Sequence, residues 1–275
     1  MKSFKKVVII GVGLIGGSLA LAIKKKKIAY KIVGVSRHKS TLLLAKKRGV
    51  IDEGSQDIRI ADGADLVILA TPIETMLKLA VPLSKIIDKD CLVADVGSTK
   101  EEVVKKMEEV FANFIGTHPL AGSEKRGVAN ARADIFSGSL CVLTPTARTC
   151  PQAKKRIKAL WQLLGARVTS LSPRAHDKII AFVSHLPHIV SFSLIGSVPK
   201  NFLGFSASGL KDTTRIASSD SSIWTSILLS NHFCLPAIEA FQKHLSEIKK
   251  AIKNKDKAAL DNILRRAKDK RGILE

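Results

Sequence analysis

Three glycines near the amino terminus have the spacing of a phosphate-binding turn. Gly11, Gly13 and Gly16 follow the apolar residues 7–10 and form a G-x-G-x-x-G pattern. These glycines allow a tight turn, close approach of backbone N–H groups to a pyrophosphate, and close packing of a helix on a strand. The anion would lie at the positive end of a helix that begins near Leu14. The predicted cofactor contacts are Gly11, Gly13, Leu14, Ile15 and Gly16.

The same stretch has a second interpretation. Residues 7–23 carry no charge and are flanked by lysines, which is the outline of a signal peptide or a short membrane anchor. The glycines would weaken such a helix, and no small-residue cleavage site follows. We therefore favour a strand, a turn and a helix, with a second strand over residues 30–35.

The residues after the second predicted strand bear on which dinucleotide is bound. Enzymes specific for NAD place an acidic residue there for the ribose 2′-hydroxyl, whereas a nearby arginine accommodates the 2′-phosphate of NADP. This position holds Ser36, and Arg37 follows. The sequence favours NADP, with NAD as the alternative. If Arg37 were only one more exposed cation of a basic protein, it would carry no information about the cofactor.

Other polar residues follow further predicted strands. Thr71 and Pro72 end a buried strand over residues 64–70, at the carboxyl edge where such sheets bind ligands. A strand over 91–95 leads into a loop and a helix that Ser98 or Thr99 would cap. His118 is predicted on a loop, immediately after a strand at 113–116.

The elements that must position these residues alternate along the first part of the chain. Buried strands at 91–95, 140–145 and 166–170 are separated by helical patterns, which indicates a doubly wound sheet over residues 1–171. Residues 172–275 form a second, all-helical domain with helices predicted over 173–198, 221–250 and 255–271. A connection over 204–222, rich in glycine and serine, joins the first two.

Composition narrows the class of protein. The chain has 275 residues, 45% of them hydrophobic, and a net charge of +21. The lysines are scattered and aromatic residues are few, so we expect no nucleic-acid partner. Four cysteines lack metal-binding spacing, which predicts no metal, no disulfide framework and a reducing cytoplasmic setting.

Five motifs in the same order resemble the prephenate/arogenate dehydrogenases of tyrosine biosynthesis. They are the glycine turn at 11–18, Asp95-x-Gly97-Ser98-x-Lys100, His118-Pro119-x-x-Gly122-Ser123-Glu124, Ser184-His185-x-x-His188 and Lys211-Asp212-x-x-Arg215. The resemblance implies a Rossmann-type domain, an all-helical dimerisation domain, a homodimer and no membrane partner.

The resemblance also implies roles for particular residues. His118 would accept the proton of the substrate C4 hydroxyl, and Ser98 would hydrogen-bond the same hydroxyl. Arg215 would hold a substrate carboxylate. Further substrate-binding residues would be Asp177, His185, His188 and Trp224, the last of them supplied by the partner subunit. Glu124 would lie at the mouth of the site or pair with Arg126. Packed helix histidines remain an alternative for His185 and His188.

The implied reaction is oxidative decarboxylation of prephenate to 4-hydroxyphenylpyruvate with NAD(P)+. Arogenate dehydrogenase, which forms tyrosine directly with NADP+, is the close alternative. A non-catalytic NADP-binding sensor is a more distant one, disfavoured because Ser98, His118 and Arg215 are all present. Another two-domain hydroxyacid dehydrogenase would need a catalytic lysine, for which Lys178 and Lys211 lack the surrounding motif.

Overall fold

A computed structural model describes residues 4–122 and 125–274. Its centre is one sheet of eight strands, in the order β3-β2-β1-β4-β5-β6-β7-β8. The strands are β1 Phe4–Ile10, β2 Ala29–Val35, β3 Glu53–Ser55, β4 Leu66–Leu69, β5 Leu92–Asp95, β6 Phe114–Leu120, β7 Leu140–Thr144 and β8 Arg167–Ser170.

All neighbouring strands are parallel except β6 and β7. The first six follow the order 3-2-1-4-5-6 of a dinucleotide-binding fold, whose crevice lies between β1 and β4, where the strand order reverses. The doubly wound fold class is confirmed. The short β3, which holds Gly54 between two polar residues, was not predicted because it lacks an apolar run.

Helices cover both faces of the sheet. Those that accompany the strands are α1 Leu14–Lys25, α2 Lys39–Lys47, α3 Ile73–Ser84, α4 Glu101–Glu108 and α5 Pro151–Leu163. Side chains alternate along β1, so that Val7 and Ile9 join the core on one face while Val8 and Ile10 join the core on the other. Residues 7–23 thus form a buried strand, a turn and a helix packed on the sheet, as the favoured interpretation of this stretch predicted.

The second half of the chain is helical, and the domain boundary predicted at residue 171 falls between β8 and the next helix. The helices are α6 Pro173–Ile180, α7 Leu186–Ser197, α8 Ser208–Thr214, α9 Ser221–Ser230, α10 Cys234–Lys253 and α11 Lys257–Gly272. A π-helical turn, Ala181–His185, joins α6 to α7, and such turns are frequent at functional sites.

Two predictions about this half were wrong in detail. The helix predicted over 221–250 is broken at Asn231, whose backbone is extended (φ −116°, ψ 94°). Its side chain bonds the backbone N–H of Phe233, as expected of an asparagine that competes with helical hydrogen bonding. The connection over 204–222 is largely helical, since it contains α8 and a 3₁₀ segment, Arg215–Ser218.

The continuous helix Pro173–Ser197 is, by length and composition alone, apolar enough to cross a membrane, and 22% of its most apolar window is buried within the chain. It also carries buried polar side chains, among them His176, Asp177 and His185. Such groups are costly in lipid. Val183 is 64% exposed here, and beyond this helix Leu229 and Phe205 are also exposed, so the helical half presents an extensive apolar surface.

Candidate active site

The glycine turn lies in the crevice between β1 and β4. Gly11 has φ +104°, and a Cβ there would lie 2.4 Å from the carbonyl oxygen of Ala70. A Cβ on Gly16 would lie 2.0 Å from the carbonyl oxygen of Gly11, so both positions exclude a side chain. A Cβ on Gly13 would meet nothing within 4 Å, which leaves its backbone open to a ligand.

The surroundings of the turn suit a pyrophosphate. Helix α1 begins at Leu14 with no side-chain cap and no acidic residue in its first turn, so its first N–H groups can bind an anion. Thr71 follows β4, and its buried hydroxyl has no hydrogen-bond partner among the described residues. Pro72 directly precedes α3. These residues fit a bound dinucleotide.

Polar side chains from the loop after β2 and from the residues after β3 hold that loop in place. Ser36 Oγ accepts a hydrogen bond from the backbone N–H of His38 at 3.3 Å. The side chain of Gln56 donates to the carbonyl oxygen of Arg37 at 2.7 Å. Arg37 itself is exposed. Because β2 ends at Val35, Ser36 and Arg37 lie where a dinucleotide fold contacts the adenosine ribose.

His118 lies within a strand, and the prediction that it follows one on a loop was wrong. Strand β6 runs on past the end of β5, because its last residues pair with β7; His118 stands opposite Val142 there. A proline after the histidine suggested a loop, but the pairing of Pro119 with Cys141 shows that the strand continues. His118 is 9% exposed, and burial, together with the neighbouring His176 and Lys100, holds its pKa well below the usual value.

His118 belongs to a chain of hydrogen bonds that crosses from the sheet to the helical half. Its Nδ1 atom lies 2.9 Å from Nε2 of His176, and Nδ1 of His176 lies 2.7 Å from Oδ1 of Asp177. His176 and Asp177 are both buried in α6. Burial lowers the pKa of His176, while its bond to Asp177 opposes that effect.

The acceptor at the end of this chain fixes the position of each proton. The Asp177 carboxylate accepts, so His176 carries its proton on Nδ1 and its Nε2 is an acceptor. His118 must then donate from Nδ1, which leaves an unprotonated Nε2. The arrangement orients a neutral imidazole whose free nitrogen can take a proton.

Asp177 also caps a helix of the other half. Its two oxygens accept the backbone N–H groups of Lys100 and Glu101, each at 2.8 Å, at the start of α4. The prediction that Ser98 or Thr99 caps this helix was wrong, because the cap comes from a side chain distant in sequence. Thr99 instead contacts the hydroxyl of Ser230 at 3.0 Å. The carboxylate of Asp177 is thus occupied by protein groups.

A buried ion pair supports the loop that carries Ser98. The side chains of Lys100 and Asp95 are fully buried and in contact. Asp95 also accepts the backbone N–H of Gly97 at 2.7 Å and that of Thr117 at 3.2 Å. One carboxylate therefore ties together the loop of Ser98 and the strand of His118.

The remaining predicted residues form a second group beside the first. His188 stacks on Trp224 with ring centroids 3.6 Å apart, and His185 meets the same indole edge to face at 5.9 Å. Arg215 lies near enough to His188 to contribute to lowering its pKa, after burial, while the bond from His188 to the carbonyl of Ser184 opposes this. Trp224 thus packs against two histidines of its own helical half, and its supply by a partner subunit stays a prediction.

His185 joins the two groups. It is 1% exposed, and burial lowers its pKa to about 4, with smaller contributions from its neighbours. Its charge state in turn affects His118. Glu124, predicted at the mouth of the site, lies outside the described residues.

Three residues of this region had no predicted role: His176, Lys100 and Asn231. His176 directly precedes the predicted Asp177, and a histidine beside an acidic residue on a helix was a usable signal. Lys100 ends the motif Asp95-x-Gly97-Ser98-x-Lys100, but the resemblance assigned it no function. Asn231 gave no signal, since its importance arises from contacts with distant residues.

The sheet order, the glycine turn and the oriented histidine define a nucleotide-binding oxidoreductase with a helical second domain. Residues 19–170 match the family model of the prephenate dehydrogenase nucleotide-binding domain, and residues 172–266 match that of the prephenate dehydrogenase dimerization domain. The chain belongs to the prephenate dehydrogenase family.

Named relatives agree with this assignment. The chain is 38% identical to prephenate dehydrogenase of Lactococcus lactis, over 98% of this chain and 78% of the relative, and 33% identical to cyclohexadienyl dehydrogenase of Zymomonas mobilis, over 93% and 91%. Among solved structures, prephenate dehydrogenase from A. aeolicus with hydroxyphenyl propionate and NAD+ superposes with a TM-score of 0.94 at 34% identity, over 98% of both chains. Synechocystis arogenate dehydrogenase superposes with a TM-score of 0.84 at 29% identity, over 98% of this chain and 100% of that one.

Proposed function

We propose that this protein is a prephenate dehydrogenase, which converts prephenate to 4-hydroxyphenylpyruvate and CO2 by oxidative decarboxylation. The observation that carries this proposal is the chain His118–His176–Asp177, which leaves Nε2 of His118 free to accept a proton. Family membership and relatives named prephenate dehydrogenase support the choice of substrate.

The proposed reaction begins at the C4 hydroxyl of the ring. His118 Nε2 takes the hydroxyl proton while the C4–H hydride leaves, and NAD(P)+, when bound, accepts that hydride. The bond from C1 to the ring carboxylate then breaks; its electron pair enters the ring, and CO2 departs. The ring becomes aromatic with a phenolate oxygen at C4, to which His118 returns the proton. His118 thus ends in its starting state.

Other residues would bind and orient the substrate. Ser98, on the loop that Asp95 ties to the strand of His118, would hydrogen-bond the C4 hydroxyl. Arg215 would pair with a substrate carboxylate, since guanidinium groups match carboxylate geometry. The group of His185, His188 and Trp224 would line the pocket, with Glu124 at its mouth. Asp177 would act indirectly, because its oxygens already bond protein groups.

We further propose that NADP+ is preferred over NAD+. The end of β2 offers a serine hydroxyl and an arginine in place of a carboxylate, which suits a 2′-phosphate. The contacts would come from Ser36 and Arg37, with the pyrophosphate at Gly11, Gly13, Leu14, Ile15 and Gly16, and with Thr71 and Pro72 beside it.

The assembly we propose is a homodimer through the helical domain. Its exposed apolar side chains, such as Phe205 at 89% exposure, need a protein partner, and the matching family model is that of a dimerization domain. A cytoplasmic location fits four free thiols, of which three are buried.

One assay tests the function. Purified protein is given prephenate or arogenate with NAD+ or NADP+, and reduced nicotinamide is followed by absorbance. We expect the fastest turnover with prephenate and NADP+. Faster turnover with arogenate would assign arogenate dehydrogenase, and binding of NADP+ without turnover of either substrate would indicate a non-catalytic sensor.

A further inference from the structure

Asn231 occupies the break between α9 and α10 and is 1% exposed. Its Oδ1 atom accepts the backbone N–H of Phe233 at 3.0 Å. Its Nδ2 atom lies 2.9 Å from the backbone carbonyl oxygen of Asp177 and 3.1 Å from Nδ1 of His185. Asn231 therefore connects two residues of the proposed active site.

These partners determine which way the amide faces. A backbone N–H can only donate, so the atom facing Phe233 must be the oxygen, and a backbone carbonyl can only accept, so the atom facing Asp177 must be the nitrogen. The amide nitrogen therefore donates to Nδ1 of His185 as well. His185 must accept at Nδ1 and carry its proton on Nε2.

Cys234 supports the same protonation state. Its sulfur lies 3.7 Å from Nδ1 of His185. Burial raises the pKa of this thiol to about 11, so it is protonated at neutral pH and can donate weakly to the ring. Nδ1 of His185 thus faces an amide donor and a protonated thiol.

The other nitrogen of His185 is buried and has no hydrogen-bond partner among the residues that the structure describes. An N–H group buried in this way is costly unless an acceptor arrives. The ring of His185 meets Trp224 edge to face at 5.9 Å, and both side chains belong to the group that would line the proposed substrate pocket. An oxygen of the substrate is the acceptor that this pocket would supply.

We propose that Asn231 is a positioning residue that holds His185 in the tautomer whose Nε2–H donates to an oxygen of the bound substrate. This inference rests on the proposed function. Asn231 does not touch the substrate; it acts through His185.

The tautomer can be measured without any assay of turnover. The full-length protein is labelled with ¹⁵N-histidine, and two-bond ¹H–¹⁵N correlation spectra are recorded with NADP+ bound; a His185→Gln variant assigns the signals. We expect His185 of the unaltered protein to show a protonated Nε2 and an unprotonated Nδ1. Hydroxyphenyl propionate, added as the probe, should shift the Nε2–H resonance. A proton on Nδ1 in the unaltered protein would overturn the inference outright.

Two variants separate positioning from stability. In Asn231→Asp, a carboxylate faces Nδ1, so the neutral ring of His185 should carry its proton on Nδ1 and lose the Nε2–H donor. The KM for prephenate should then rise about tenfold, with the KM for NADP+ unchanged. Ser230→Ala, its neighbour, loses a contact to Thr99 yet should keep both the tautomer and the KM. An unchanged tautomer in a folded Asn231→Asp protein would refute the proposed role.

The role of Asn231 and the proposed function can fail separately, because one is measured by the tautomer of His185 and the other by turnover. If the unaltered protein turned over neither prephenate nor arogenate, the function would be wrong whatever the tautomer. If it turned over prephenate while His185 carried its proton on Nδ1, only the role of Asn231 would be wrong.

Discussion

Nδ1 of His118, in the nucleotide-binding sheet, lies 2.9 Å from Nε2 of His176, in the first helix of the helical half. The proposed base and the residue that orients it therefore belong to different halves of the chain. Asp177 adds to this connection between the halves, because it accepts a hydrogen bond from His176 and also caps α4 of the nucleotide-binding half. Any change in how the two halves pack should alter the base.

Replacing His118 should abolish most of the activity. His118→Asn removes the nitrogen that accepts the C4 hydroxyl proton, so kcat should fall by about 10²–10⁴-fold, the usual contribution of general acid–base catalysis. The dissociation constant for NADP+, measured by fluorescence titration, should stay the same. His244→Asn, at an exposed position on α10, is the matched control. Near-normal turnover in His118→Asn would mean that another group takes the proton.

Replacing His176 should have a smaller effect with a distinctive pH profile. His176→Asn removes the acceptor for Nδ1 of His118, and kcat should fall by roughly tenfold because the base is less well oriented. It also removes a neighbouring group that lowers the pKa of His118. The acidic limb of kcat/KM should therefore move to higher pH. A limb that stayed in place would show that His176 serves packing alone.

The buried imidazoles should make the fold sensitive to acid. The pKa of His185 is about 4 in the folded chain, against an ordinary value of 6.5, so the unfolded chain binds the proton first as the pH falls. Stability is then complete above about pH 6.5 and declines below it, by about 2 kcal/mol at pH 5 from His185 alone. Urea unfolding at fixed protein concentration at both pH values measures the loss. His185→Gln should lose less than the unaltered protein, and His244→Gln should lose as much.

Breaking the buried ion pair should destabilise the sheet. Lys100→Met leaves the carboxylate of Asp95 buried without its counter-charge, so the free energy of unfolding should fall by about 3–5 kcal/mol. Lys105→Met, at an exposed position on α4, should change the free energy of unfolding little. Adding Asp95→Asn to Lys100→Met should restore part of the loss. A thermal or urea midpoint equal to that of Lys105→Met would mean that Asp95 is neutralised in another way.

A carboxylate after β2 should reverse the cofactor preference. Ser36→Asp would repel a 2′-phosphate and bond a 2′-hydroxyl, so the KM for NADP+ should rise about tenfold or more and that for NAD+ should fall. Gln242→Glu, on α10, changes the net charge equally and should leave both values alone. If Ser36→Asp also left both KM values unchanged, the adenosine ribose would be bound elsewhere.

Much of this molecule could be predicted from local pattern. Gly11 and Gly16 mark the turn because only glycine fits where backbone approaches backbone, and the apolar runs of β1, β4 and β5 mark strands buried on both faces. Helix boundaries and the strand of His118 were less predictable. Pairing of β6 with β7 keeps Pro119 extended, and nothing near Pro119 in the sequence announces that partner.

The sequence by itself determined the fold class and the dinucleotide turn, and it supplied the candidates for acid–base and carboxylate-binding roles, since these depend on residue type and short spacing. Tertiary structure alone decided which atoms work together. His118 and His176 are 58 positions apart, and Asn231 is 46 positions from His185, so no local signal relates them. Which nitrogen of each imidazole carries the proton follows from those distant contacts, because a hydrogen-bond partner on one ring nitrogen fixes the state of the other.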